Sequence, residues 1–279
     1  MEKKYKYMNT VCFAIGLIPW ICRIIEYGAK VANFGGKQLN ICAITPSEKF
    51  SKFNENFLDN ISLRPLGVGK FARACSFLSL TLSVDNQIIH PARCYGLWKR
   101  YGGNWKSKEV VPFFYKDFDE ISAKSLERLD DEYSTIKEAV RKHFPDRPFT
   151  YMLSYLGLER LSHSSRNVNI KTSLKFSKQL SLIKTPTVTN EDGNQSIDIN
   201  CRFFTDDIPY GLLIAKWIAE KLDVATPFID ELIQWAETLR GEHWVDDKGK
   251  LDLKYCLEHK YTSGIPPSYG IFSVDDVLD

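Results

Sequence analysis

Two stretches of the chain hold residue types that could move a proton. In "IIHPARCYGLW", residues 88 to 98, His90 stands before Pro91 among apolar neighbours. In "CRFFTDDIPYGLL", residues 201 to 213, Arg202 and Asp207 are charges embedded in apolar sequence. Imidazole changes charge near neutral pH, and a carboxylate that holds it favours its charged form, so His90 with Asp207 would make a general acid or base. An arginine beside them would hold a carboxylate or phosphate by two parallel hydrogen bonds. The three together suit reduction of a carbonyl or imine carried by a carboxylic acid. A plainer reading of the second stretch is a helix start, with Asp206 or Asp207 accepting the free N–H groups of the first turn and Pro209 at an early helical position. That reading leaves Arg202 unexplained.

Those side chains need a scaffold, and 279 residues suffice for one large or two ordinary domains with a real core. The net charge of +2 arises from nearly balanced acids and bases spread along the chain, so no field argues for nucleic acid or an anionic membrane as partner. Seven cysteines, at 12, 22, 42, 75, 94, 201 and 256, include no CxxC pair and are odd in number. Such scatter suits reduced thiols and a cytoplasmic protein. The apolar run from Val11 to Cys22 follows a basic start, yet it is too short to span a bilayer and contains Pro19, so we expect a buried strand and turn there. A fully buried strand normally has neighbours on both sides, which points to sequence missing upstream.

Short apolar runs broken by glycines predict strands in "TVCFAIG", "AKVANF" and "LNICAIT". From residue 47 the periodicity turns helical. Phe71, Cys75, Leu78 and Leu82 recur at threes and fours, as do Leu126, Leu129, Tyr133, Ile136 and Val140, with Phe144 ending the second pattern before Pro145. A helix is expected from about 150 to 160, and loop with short elements from 162 to 200. Ile208 to Leu222 forms a further helix and "TPFIDELIQWAETLRG" another, packed as a pair, the latter with Thr226 as N-cap, Pro227 first and Gly241 past its end. The tail from Tyr261 has loop chemistry and should close over a neighbour.

"GVGKFA", residues 67 to 72, matches G-x-G-x-x-A, but "ISLRPL" before it holds a proline and charge where a buried parallel strand is required, so it reads as a glycine-rich helix entry. The histidines at 143, 163, 243 and 259 lie in polar stretches without metal-ligand spacing and read as surface residues. No G-x-S-x-G, HExxH or Walker lysine is present, which removes support for hydrolase and nucleotide triphosphatase readings.

Three segments resemble the opine dehydrogenases of invertebrates, the octopine dehydrogenase type: "IPWICRIIEYGAKVANFGGK" at 18 to 37, "IIHPA" at 88 to 92, and "RFFTDDIPYG" at 202 to 211 with the following "TPFIDELIQWA". The resemblance implies a mainly α fold, in which a helical catalytic domain over 47–279 is preceded, over 1–46, by a few strands similar to the end of a Rossmann domain. It implies reductive condensation of an amino acid with a keto acid such as pyruvate, using NADH or NADPH. Carried over by position, His90 matches the catalytic histidine and Asp207 its partner. Arg202 matches the arginine that faces the cleft toward cofactor pyrophosphate or substrate carboxylate, and Trp20 and Cys22 lie in the segment lining the amino-acid site.

Two departures qualify what the resemblance implies. Octopine-forming members carry a glutamate where this chain has Gly16, so a smaller or neutral amino acid is the expected substrate rather than arginine. The glycine-rich NAD domain, which would come first, is absent from these 279 residues, and without it no redox turnover is expected. The other readings are a non-enzymatic helical module that binds an amino acid or a protein, and a reductase of another keto or imino acid.

Overall fold

The computed structural model describes residues 10–62, 68–83, 85–163, 165–175, 180–259 and 261–278. The basic opening over 1–9 and most of "ISLRPLG", 63–67, lie outside them. The chain begins with four strands: β1 (Cys12–Ile15), β2 (Trp20–Glu26), β3 (Lys30–Gly36) and β4 (Leu39–Thr45). A composite helix, α1 (47–61), leads to β5 (Lys70–Arg73), which runs parallel to β4, while β1 pairs antiparallel on the other side of β4. Strands β2 and β3 form a separate hairpin.

The central strand explains this unit. In "LNICAIT", Ile41 and Ala43 point into one apolar cluster with Ala74, Leu80 and Leu158, and Cys42 points into another with Leu58, Val68 and Phe71. Alternation along a strand thus buries both faces, as a continuous apolar run requires. The first strand departs from expectation: Phe13 is 40% exposed, and among the described residues β1 pairs with β4 alone, which leaves it half-buried. "GVGKFA" departs too. It enters β5 rather than a helix, and Phe71, placed above in a helical pattern, is a strand residue. Gly69 is required by close approach: a Cβ there would sit 1.6 Å from the carbonyl oxygen of Gln38.

The body is helical: α2 (Phe77–Thr81), α3 (Asn86–Tyr101), α4 (Glu120–His143), α5 (Tyr155–His163), α6 (Ile170–Lys175), α7 (Arg202–Thr205), α8 (208–221), α9 (Pro227–Arg240), α10 (Leu253–Glu258) and α11 (Asp275–Leu278). A small sheet of order β6 (Asn104–Trp105), β8 (Gln195–Ile197), β7 (Thr187–Thr189) crosses between them. Helix α3 is buried without interruption from Gln87 to Leu97, and it passes through Pro91, so His90 lies within a helix. Helix α4 presents Leu126, Leu129, Tyr133, Ile136 and Val140 to the core, the stripe its periodicity foretells. The two helices pack closely at Gly96, where a Cβ would lie 2.2 Å from Ser122 Oγ. Buried Arg93 crosses the same contact, donating to Ser122 Oγ and to the Phe113 carbonyl at 3.1 Å each, with Asp119 at 3.5 Å.

Helix α9 starts at Pro227 and stops at Gly241, whose φ is 69°, but Thr226 does not cap it. The Glu132 carboxylate reaches over from α4 and accepts from the N–H groups of Phe228 and Ile229 at 2.7 and 2.8 Å. Thr226 Oγ1 donates to Asp230 instead. Helices α8 and α9 are joined by Lys216 and Asp230 at 2.7 Å. The tail lies over the start of α8, with Gly264 N–H donating to the Pro209 carbonyl and Tyr210 Oη to that of Tyr261.

Candidate functional site

The second turn of α3 and the α7–α8 junction meet at His90. Helix α7 begins at Arg202, and after Thr205 the backbone passes Asp206 and Asp207 into a wide turn, in which Leu212 N–H reaches back five residues to the Asp207 carbonyl at 3.1 Å. Such turns in a helix re-aim the side chains around them. Asp207 has helical φ and ψ of −67° and −28° and makes no side-chain cap, contrary to the helix-start reading. Asp206 does not cap either, and its Oδ1 accepts from Thr205 Oγ1.

The Asp207 carboxylate is instead given to His90: Oδ2 lies 2.7 Å from Nδ1. The other ring nitrogen, Nε2, lies 2.8 Å from Tyr115 Oη. His90 is fully buried, with the Phe203 ring stacked on it at 3.9 Å and 27° and Phe114 at 5.6 Å edge-on. A carboxylate accepts only, so Nδ1 carries the proton of that bond and Nε2 is left to exchange one with the tyrosine. This is the arrangement of an oriented acid–base imidazole.

Thiols border the pair without joining its chemistry. Burial pushes Cys94, one turn after His90, well up from the usual thiol range, and pushes Cys201, beside Arg202, up to about 11. Both are neutral at physiological pH and poor nucleophiles. All seven cysteines are free.

The structure brings together His90 and Asp207 from the sequence analysis. Arg202 stands beside them, exposed, its guanidinium carbon 5.6 Å from the centre of the Phe203 ring that covers His90. Trp20 and Cys22 lie on the β2–β3 hairpin, Trp20 packed against the Cys42–Leu58–Phe71 cluster, which is separate from the core holding His90. Gly16 lines a cavity of about 10 Å³ with Lys37, Asn40, Ser83 and Ser162. The histidines at 143, 163, 243 and 259 are exposed.

Sequence reasoning missed Tyr115, Phe114 and Phe203. "VVPFFYKDF" is visibly aromatic, but nothing in its composition or its 25-residue distance from His90 ties it to the histidine.

A dinucleotide pyrophosphate is held by backbone N–H groups turned outward at a helix start. In the glycine-rich match, Gly69 N–H is spent on the Lys37 carbonyl at 2.7 Å, its Cα faces Gln38, and strand follows. These described residues do not form a dinucleotide site.

Residues 73–240 match the profile of NAD/NADP octopine/nopaline dehydrogenase, alpha-helical domain. The chain is 27% identical over 286 residues to an opine dehydrogenase of Haliotis discus hannai, covering 99% of this chain and 66% of that protein. It is 23% identical to a tauropine dehydrogenase of Arabella iricolor, covering 100% and 67%. Against the octopine dehydrogenase of Pecten maximus the figures are 27%, 94% and 63%. A solved octopine dehydrogenase with NADH and L-arginine superposes with a TM-score of 0.75 at 24% identity, covering 96% of this chain and 64% of that one. The chain thus spans about two thirds of the length of the relatives it matches. Among the described residues no helix is long and apolar enough to cross a membrane.

Proposed function

Because the chain belongs to the octopine/nopaline dehydrogenase family, we propose that it serves an opine-dehydrogenase-like oxidoreductase as the half that condenses an amino acid with a keto acid such as pyruvate. The observation that carries this reading is the buried His90 held by Asp207 at 2.7 Å. An imidazole oriented in this way, when it carries a second proton on Nε2, can give that proton to the oxygen that departs as water when amine and carbonyl join. Arg202, exposed beside it, is the group for the keto acid's carboxylate or for a cofactor pyrophosphate. Trp20 and Cys22 take part on the amino-acid side. Gly16, with Leu80 Cδ2 3.1 Å from where its Cβ would be, leaves no anion there for a guanidinium, which favours a small or neutral amino acid.

The reduction itself calls for NADH or NADPH, named in the family's description, and no step through it is derived from these residues. In this reading residues 1–46 belong with a dinucleotide-binding unit and 47–279 with the catalytic one. A second reading, a non-enzymatic binding module, draws on the closed backbone around Gly69, which cannot cradle a phosphate.

The test is an assay of the protein isolated from its source, with pyruvate, a panel of amino acids, and NADH or NADPH. Loss of reduced cofactor that needs both organic substrates is the expected result. Loss without the amino acid would overturn the condensation. No turnover with any pair, together with saturable binding of one amino acid, would favour the module.

A further inference from the structure

We propose that the contact between Gln87 and Gly211 is the seat that aims the Asp207 carboxylate at His90, which makes Gln87 and Gly211 positioning residues for the acid–base pair. The proposal rests on the reading of His90 as the acid of the condensation and adds what holds its partner in register.

The two contacts are successive rungs between the same two elements. Gln87 and His90 stand three residues apart and share one face of α3, while Asp207 and Gly211 stand four apart and share one face of the wide turn. As the chain climbs α3 from 87 to 90, the facing residue on the turn steps back from 211 to 207. The first rung has room for a glycine alone. A Cβ at 211 would lie 2.5 Å from Gln87 Cβ and 2.9 Å from Gln87 Oε1. Gly211 has no left-handed φ, so close approach rather than backbone freedom calls for it.

Gln87 is a fixed stop. It is buried, and its Nε2 donates to Tyr133 Oη on α4 at 2.8 Å and to the Thr81 carbonyl at 3.1 Å. Its Cβ is rooted in helix backbone and cannot swing aside. The tail holds the same turn, with the Gly264 N–H donating to the Pro209 carbonyl at 2.8 Å. Held by both, the turn reaches toward His90 as far as its seat on Gln87 allows. A methyl at 211 must move backbone by about 1 Å to restore an ordinary carbon–carbon contact of about 3.5–4.0 Å. Carried to the next rung, that shift stretches the 2.7 Å bond between Nδ1 and Oδ2 past the usual hydrogen-bond limit of about 3.2 Å.

Two substitutions misfit the seat in opposite senses. Gly211→Ala overfills it, and Gln87→Gly, in the first turn of α3, empties it; the double variant exchanges the methyl for the side chain. The native polypeptide and the three variants are compared by steady-state kinetics and by NMR of protein labelled with 15N-histidine. The His90 Nδ1 proton, buried and bonded to a carboxylate, gives a downfield resonance that moves upfield as that bond lengthens. Gly211→Ala is expected to lower kcat by about tenfold or more, with KM for the keto acid within about threefold. Each single variant should move the resonance upfield, and the double variant should return it toward the wild-type position with kcat above that of Gly211→Ala. A Gly211→Ala protein that melts lower but keeps the resonance in place makes the contact merely structural and overturns the proposal, as do losses that multiply in the double variant. If Gly211→Ala does not fold, Gln87→Gly carries the same readout alone: a displaced resonance supports the seat and an unmoved one removes it. If the wild type makes no condensation product, the reading of His90 fails, and the resonance, which needs no turnover, judges the seat separately.

Discussion

His90 Nδ1 and Asp207 Oδ2 stand 2.7 Å apart although 117 residues separate them. The contact exists because α3 packs against both α7 and the wide first turn of α8, which turns Asp207 inward when a regular helix start would have spent it on a cap. Asp207→Asn keeps the shape but replaces an acceptor with an amide that can donate to Nδ1, reversing the tautomer. The expected result is a fall in kcat of about a hundredfold, with a far smaller effect on melting. Steady-state kinetics at several pH values check it, and a variant within twofold of wild type would release Asp207 from the chemistry.

Arg202 has a different physical position, exposed, with its guanidinium carbon over the Phe203 ring, 5.6 Å from the ring centre. An exposed guanidinium contributes little to folding. Arg202→Ala should therefore raise KM for the keto acid or the reduced cofactor by about tenfold and leave the melting temperature nearly unchanged. Unchanged kinetics with a large drop in melting temperature would make it a structural residue.

Glu132 supplies what Thr226 was expected to supply, accepting from Phe228 and Ile229 N–H at the start of α9. A carboxylate at a helix N-terminus satisfies two orphan donors and complements the helix dipole. Glu132→Ala should cost about 1–2 kcal/mol, and Glu132→Gln, which keeps one acceptor, less. Thermal melts of both variants decide it. Equal losses would mean that packing, not the acceptor, holds the helix.

Helix periodicity and turn residues made the architecture largely legible, as the stripe of α4 and the Pro227 and Gly241 ends of α9 show. Local chemistry misled wherever a partner distant in sequence intervened. Asp207 looks like a cap until His90 claims it, and Thr226 looks like a cap until Glu132 arrives from α4. Phe71 fits a helical period by chance of spacing, and parallel pairing with β4 overrides it. Strand β2 escaped notice because its exposed apolar residues, such as Ile24, follow no period with one buried face. The candidate site was legible in His90, Asp207 and Arg202, whose types announce proton and anion chemistry. Tyr115 was not legible, since its contact is made by loop geometry alone.

Lys137 offers a pH prediction independent of the site. It is 4% exposed on α4, donates to the Leu153 carbonyl and has Asp130 Oδ1 at 4.0 Å. Burial pulls its pKa down to about 8 from 10.5, Asp130 opposing and Arg141 reinforcing, while burial raises Asp130. In the unfolded chain the lysine keeps its proton to about pH 10.4. Between those values the unfolded state binds more protons, so stability should rise with pH; below pH 8 both states are charged and the cost of burying the ammonium is fully present. The gain is on the order of 3 kcal/mol across that window. Urea unfolding of wild type and Lys137→Met from pH 7 to 10 isolates it, because thiols and other groups titrate equally in both. Wild type should gain on the variant as pH rises. A constant difference would mean that Asp130 and the Leu153 carbonyl keep Lys137 charged in the folded protein despite its burial.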